Sequence, residues 1–226
     1  MTKKEKVKKM FDNIAIKYDF LNHFLSAGID IYWRKKALKF SNIEPGNRLL
    51  DIACGTGDFS ITAKKMGAGK IFGADLSNNM LQLFEKKAGW IKGNSVQSTA
   101  ENPPFKPGSF ENIIVAFGVR NFYDIKKSFI SFHNILSDSG EVTILEFSLP
   151  KSKLIRPVYL FYFHRLLPFI GKIISKDKDA YDYLPESVNE FDSEIDLSKL
   201  LMNAGFSKIT KYSLTLGIVQ LIIAKK

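Results

Sequence analysis

The sequence holds a single cysteine, Cys54, in 226 residues, which excludes an internal disulfide framework and a cysteine-rich metal centre. No apolar run reaches the 18 or more residues of a membrane span. The basic start, MTKKEKVKKMF, lacks the apolar stretch of a secretory signal. Low-complexity segments and internal repeats are absent too. Acidic residues are comparatively few: 23 Asp and Glu against 33 Lys and Arg, a net charge of +10, and positions 147–176 contain none. Such an excess suits nucleic acid, an anionic membrane surface, or simple solubility. What is present is an ordinary globular composition, 45% hydrophobic and 25% charged. A chain of this length buries roughly 70% of its unfolded surface, enough for one sizeable core. A soluble, cytoplasmic protein is expected.

The pattern along the chain alternates. Residues 1–44 read as helical, polar and aromatic. Short strand-like runs follow at Arg48–Ala53, Lys70–Leu76, Trp90–Ser98, Asn112–Gly118 and Glu141–Leu149. Helical periods separate them at Asp58–Met66, Asn78–Lys87 and Asp124–Leu136. Strands alternating with helices imply right-handed crossovers and a doubly wound, mainly parallel α/β sheet covered on both faces. A helix over Asp192–Ala204, closed by Gly205, precedes two strand runs, Ser207–Thr215 and Ile218–Ala224. A link that short predicts an antiparallel hairpin at the sheet edge.

The chemistry begins at DIACGTGD, residues 51–58, directly after the first strand. Gly55 and Gly57 permit conformations and close ligand approach that a Cβ would block. In open α/β sheets the crevice at the strand ends is where ligands bind. Asp75 ends the second strand, twenty residues after Gly55, a spacing that suits an acid gripping a ribose diol. Asp51, Asp58 and Asp75 gather here, and no Lys or Arg lies between Arg48 and Lys64. Helix amides alone could hold a pyrophosphate, but acids around the glycines better suit S-adenosyl-L-methionine, which carries an ammonium and a sulfonium.

Four stretches resemble the UbiE/MenG family of ubiquinone and menaquinone biosynthesis C-methyltransferases: FDNIAIKYDFLNHFLSAGIDIYWRKKAL (11–38), LLDIACGTGDFS (49–60), FGVRNFYD (117–124) and LEFSLP (145–150). A fifth, FYFHRLLPFIGKIISKDKDAYDYLPESV (161–188), is similar to a family segment outside the general cofactor fold. The resemblance implies a class I S-adenosylmethionine methyltransferase fold. Residues 1–44 would form a helical lid on a methyltransferase domain (45–226), whose part 150–190 would face substrate and membrane. It also implies methylation of a polyprenylated quinol at a ring carbon, with demethylmenaquinol favoured and a benzoquinol the alternative. Expected cofactor contacts are Asp51, Gly55, Thr56, Gly57, Asp75, Leu76, Thr99, Ala100 and Ala116. Thr99 departs from the usual Asp or Asn beside adenine.

A quinol carbon becomes nucleophilic when the neighbouring hydroxyl is deprotonated, so no metal or covalent nucleophile is required. Arg120, in the turn after the fourth strand, is the leading candidate to stabilise the forming phenolate. Asn121 would fix the second oxygen, and Tyr18 would assist from the lid. Asn22, Phe117 and His164 are expected to touch substrate. Basic and aromatic residues interleave at 147–176, including Lys151, Lys153, Arg156, Arg165, Lys172 and Lys176. That pattern suits transient contact with the inner, anionic face of a membrane. Asn102-Pro103-Pro104-Phe105 resembles the tetrapeptide of amino-group methyltransferases, which would make nucleic acid a substrate. It precedes the fourth strand rather than following it, so no nucleic acid is expected. Cys54 reads as a small loop residue, and His23 and His133 lack metal-ligand spacing. The oligomeric state is open, a homo-oligomer included.

Overall fold

The computed structural model describes residues 3–169 and 178–226. Lys172 and Lys176 of the basic segment lie outside the described residues. Two helices lead, α1 (Lys3–Leu25) and α2 (Ile29–Phe40). The alternating part follows: β1 (Arg48–Ile52), α3 (Asp58–Lys65), β2 (Lys70–Asp75), α4 (Asn78–Lys87), β3 (Ser95–Gln97), β4 (Phe110–Ala116), α5 (Ile125–Ile135) and β5 (Leu136–Phe147). Next come α6 (Ile155–Phe161), prolonged by a π turn over Tyr162–Leu166, then α7 (Lys178–Glu194) and α8 (Leu197–Asn203). The strands β6 (Lys208–Leu214) and β7 (Val219–Lys225) end the chain.

The seven strands form one sheet in the order β3-β2-β1-β4-β5-β7-β6. Neighbours from β3 to β5 are parallel, while β7 runs antiparallel to both β5 and β6. The expected sheet with a closing hairpin is therefore present, with the later strand on the inside. Central strands read as near-continuous apolar runs because both faces are covered. Ile113, Ile114 and Val115 of β4 are all buried. One face packs on Phe129, Phe132, Leu201 and Phe206. The other packs on Trp33, Phe59, Ala63 and Phe84. A third cluster joins α1 to the α6–α7 region through Ile14, Ala15, Tyr159, Phe163, Leu167 and Val188. Strand order reverses between β1 and β4, so their C-terminal ends diverge into a crevice.

Beyond shifts of a residue or two at element ends, four features differ from the sequence reading. The third strand shrinks to three residues, because Gly89–Ile91 forms a 3-10 turn and Gly93 takes a φ of +78°. β5 starts five residues early, directly after α5, since Leu136 pairs with Phe110. The single helix expected over Asp192–Ala204 is two: Asp196 accepts a hydrogen bond from the Lys199 amide and caps a new start. The hairpin link spans 215–218 rather than two residues, as Leu214 pairs with Val219. Among the described residues no helix is long and apolar enough to cross a membrane.

Candidate active site

Two turns build the site, one after β1 and one after β4. Both begin with a non-glycine residue at positive φ, Ala53 at 56° and Phe117 at 58°, an uncommon conformation that redirects the chain over the strand ends. The turns press together: a Cβ on Gly118 would lie 2.7 Å from the Ala53 Cβ. Only glycine fits there.

A first cavity opens over these turns. Ile52, Ala53, Gly55, Asp75, Leu76, Ser98, Thr99, Ala100, Ala116, Phe117 and Asn121 contribute to its walls, with Val7, Phe11 and Tyr18 of α1 lying across it. The Asp75 carboxylate accepts the Gly55 amide at 2.8 Å and the Ser77 amide at 2.8 Å. Burial raises its pKa, partly offset by those amides. Glu101, also in the wall, accepts the Tyr123 and Asp124 amides at 2.7 and 3.1 Å. Cross-links hold α1 down. Ser77 donates to Asp12, Thr56 donates to Asp19, and Lys87 bridges Asp19 (2.7 Å) and Asp58 (2.6 Å).

A smaller cavity lies beside the glycine turn, bordered by Tyr18, Arg34, Asp51, Gly55, Thr56, Asp58 and Ala116. Asp51 and Thr56 thus face this space rather than the first cavity. Asp51 is buried and accepts both the amide (3.1 Å) and the hydroxyl (2.7 Å) of Ser60 at the start of α3. Burial pushes its pKa up to about 7. Gly57 borders none of the three cavities. Its φ is +86°, and a Cβ there would sit 2.0 Å from Phe84 Cδ2. The turn and Phe84 by themselves require a glycine at this position.

The second cavity is larger, about 340 Å³ against about 90 Å³ for the first. Its wall combines Trp33, Phe117, Phe147, Tyr159, Phe163 and Leu167 with the polar residues Tyr18, Asn22, Arg34 and Arg120. Phe117, Trp33 and Phe147 pack on one another, Phe117 lying 6.0 Å from Trp33 and 4.5 Å from Phe147, and Trp33 6.1 Å from Phe147. The Arg120 guanidinium is gripped by Glu146 at 2.8 Å and donates to the Phe117 carbonyl. Glu146 is fully buried and also accepts the Arg120 and Phe147 amides. One donor stays free: Arg120 Nε is buried without a hydrogen-bond partner. So are Arg34 Nε and the Tyr159 hydroxyl, on two more residues of this wall. Such orphans are uncommon. Tyr18 borders all three cavities; its hydroxyl bonds Asn22 and burial raises its pKa.

Two residues expected at the site, Asn121 as catalytic and His164 as a substrate contact, do not border the second cavity. Asn121 is not on the second cavity's wall; it faces the first, and its Oδ1 accepts the Tyr183 hydroxyl at 2.8 Å. His164 is exposed and meets Asn189 at 2.9 Å. Tyr159, Phe163 and Leu167, spaced by four, take the inward face of that helix and leave His164 outside. Arg34, Glu146 and Tyr159 were missed by sequence reasoning. LEFSLP contained Glu146, but only the pairing of β4 with β5 brings it under Arg120. Asn102-Pro103-Pro104-Phe105 precedes β4, and Phe105 packs on Phe110 at 4.9 Å. Cys54 is buried, and that burial pushes its thiol well above its ordinary pKa. His23 approaches Asp30 (2.8 Å) and Asp58 (3.5 Å), a cluster that sequence spacing did not reveal. Arg34 and Lys87 already ion-pair those carboxylates.

S-adenosylmethionine fits these residues on two observations. Ser98, whose Oγ is buried without a partner, lines the first cavity. Beside Gly55 there is room, since an added Cβ would meet only Tyr18 Cε1, at 3.9 Å. Comparisons with known proteins agree. The chain is 40% identical over 224 residues to a demethylmenaquinone methyltransferase of Chlorobaculum tepidum, covering 97% of this chain and 92% of that one. It is 40% identical over 230 residues to the ubiquinone/menaquinone biosynthesis C-methyltransferase UbiE of Geotalea uraniireducens, covering 99% and 97%. In fold it resembles an S-adenosylmethionine-dependent methyltransferase of Thermotoga maritima, a possible histamine N-methyltransferase (TM-score 0.67, 18% identity, 96% and 99% covered). A further methyltransferase of this type, from Aquifex aeolicus, matches with a TM-score of 0.58 at 16% identity, 85% and 88% covered. A family profile matches residues 1–226, and the chain belongs to the ubiE/COQ5 methyltransferase family.

Proposed function

We propose that the enzyme methylates a ring carbon of a polyprenylated quinol, demethylmenaquinol before a benzoquinol. The carrying observation is the aromatic second cavity, bordered by Arg120, whose Nε is buried and unpartnered, and sharing Tyr18 and Phe117 with the cofactor cavity. The relatives named above support this acceptor class. S-adenosylmethionine, when bound, supplies an electrophilic methyl group. Asp75, Leu76, Thr99, Ala100 and Gly55 hold its nucleoside end.

Arg120 stabilises the negative charge that grows on the quinol oxygen next to the accepting carbon. Glu146 fixes the guanidinium so that this donor need not reorganise, which is what makes a buried dipole effective. Tyr159 shares the role expected of Asn121. Burial lifts its pKa above the ordinary tyrosine value, so the hydroxyl stays a neutral donor for the second, distal oxygen. Trp33, Phe117 and Phe147, packed on one another, form an apolar wall for the flat ring and exclude water. Alignment of this kind contributes up to about 7–11 kcal/mol in favourable cases. Residues 1–44 act as the lid.

The acceptor reaches the site from a membrane surface. Leu154, Val158, Phe161 and Phe169 are 86%, 71%, 61% and 64% exposed, and Lys151, Lys153, Arg156 and Arg165 lie among them. Each basic residue near an anionic leaflet contributes about 1 kcal/mol. The protein is thus cytoplasmic with peripheral membrane contact. The deciding assay supplies a tritiated methyl donor with both reduced quinones side by side. Label in demethylmenaquinol, and less in the benzoquinol, is expected; label in neither overturns the acceptor. Liposome flotation checks the surface: binding is expected with anionic lipid, and none with any lipid rejects it.

A further inference from the structure

The amino-acid end of S-adenosylmethionine carries an ammonium and a carboxylate, and the acids beside the glycine turn suit only the first. Asp51 and Asp58 both border the small cavity there, so a carboxylate entering it meets repulsion unless a cation is present. Arg34 supplies that cation, from α2, an element far in sequence from the glycine turn. Among the described residues bordering this cavity it is the one basic side chain. We propose that Arg34 binds the carboxylate of the cofactor's amino-acid end.

Three features carry this assignment. Arg34 is only 6% exposed. Its NH1 is held by Asp30, and its guanidinium lies 5.5 Å from the Phe117 ring centroid, so the side chain is fixed from two sides. Yet Nε has no partner, and a buried donor left unmade is costly until an acceptor arrives. Because Arg34 borders both the small cavity and the acceptor cavity, the same side chain forms the partition between cofactor tail and acceptor. The adjacent Trp33 lines the acceptor cavity, so a cofactor that fixes Arg34 also steadies that wall.

Titration calorimetry tests this without any acceptor, comparing S-adenosylhomocysteine with its decarboxylated counterpart, S-adenosyl-3-thiopropylamine. The unaltered enzyme is expected to bind the carboxylate-bearing ligand about 10- to 100-fold more tightly, the usual range for a charge-assisted hydrogen bond. Arg34→Met should bring that ligand down to the affinity of the decarboxylated one and leave the latter unchanged. Arg34→Lys should keep part of the preference. Equal affinities in the unaltered enzyme, or an equal loss for both ligands in Arg34→Met, overturn the assignment. Since Arg34→Met strands the buried Asp30, the double variant Asp30→Asn/Arg34→Met is titrated alongside. Preference surviving there also overturns it.

Discussion

The two main cavities meet at Tyr18 and Phe117, yet they are built on opposite principles. Around the cofactor cavity most polar groups are already satisfied by backbone: Asp75 and Glu101 each accept two main-chain amides. These carboxylates shape a loop first and meet a ligand second. The acceptor cavity is an aromatic box whose few polar groups include three buried donors without partners. One site is preorganised by what is complete, the other by what is left open. A methyltransferase needs both, because a charged donor is recognised by fixed dipoles and a greasy ring by shape.

The sharpest way to break this contrast is Arg120→Met. Turnover should fall by about 10²–10³-fold, the scale of losing one oxyanion donor, while calorimetry finds cofactor affinity nearly unchanged. The variant also strands buried Glu146, so its melting temperature should drop; restoring it with Glu146→Gln must not restore turnover. Asp75→Ala attacks the other side. Cofactor binding should weaken about 10- to 100-fold, with turnover at saturating cofactor close to normal. Tyr159→Phe removes only a hydroxyl. The quinol KM should rise about tenfold with cofactor affinity intact; no change in KM would remove Tyr159 from the wall's chemistry.

A last effect, read in stability rather than in turnover, concerns Asp51. Its folded pKa, about 7, lies above the ordinary carboxylate value of 3.8, so the folded state holds its proton longer than the unfolded chain does. Stability from this group is full below about pH 4 and is lost as pH rises through about 7. Asp51→Asn keeps the acceptor for Ser60 and cannot ionise. Its melting temperature should gain on that of the unaltered protein between pH 4 and 7, and parallel curves would reject the assignment.

Local chemistry was legible in the sequence because it is written in neighbouring residues. The glycine turn, Asp75 and the alternation of strands and helices all depend on short spacings. What the sequence hid depends on tertiary approach. The packing of Phe84 against Gly57 is announced by nothing local. Arg34 and Glu146 enter the site from α2 and β5, elements whose own patterns say only that they are helical or buried. The outward side of His164 was hidden for another reason. Positions 158–170 are so apolar that no helical period stands out, and the π turn shifts the register within them.

The Trp33 indole donates to the Thr215 hydroxyl at 2.7 Å, a bond between residues 182 positions apart. Its consequence is one of timing during synthesis. Every residue bordering the cofactor cavity has been made by Tyr123, whereas the acceptor cavity waits for Thr215 and Ile218. Synthesis runs from the N-terminus, so a nascent chain already holds the described residues of its nucleotide pocket roughly ninety residues before it holds those that enclose a quinol.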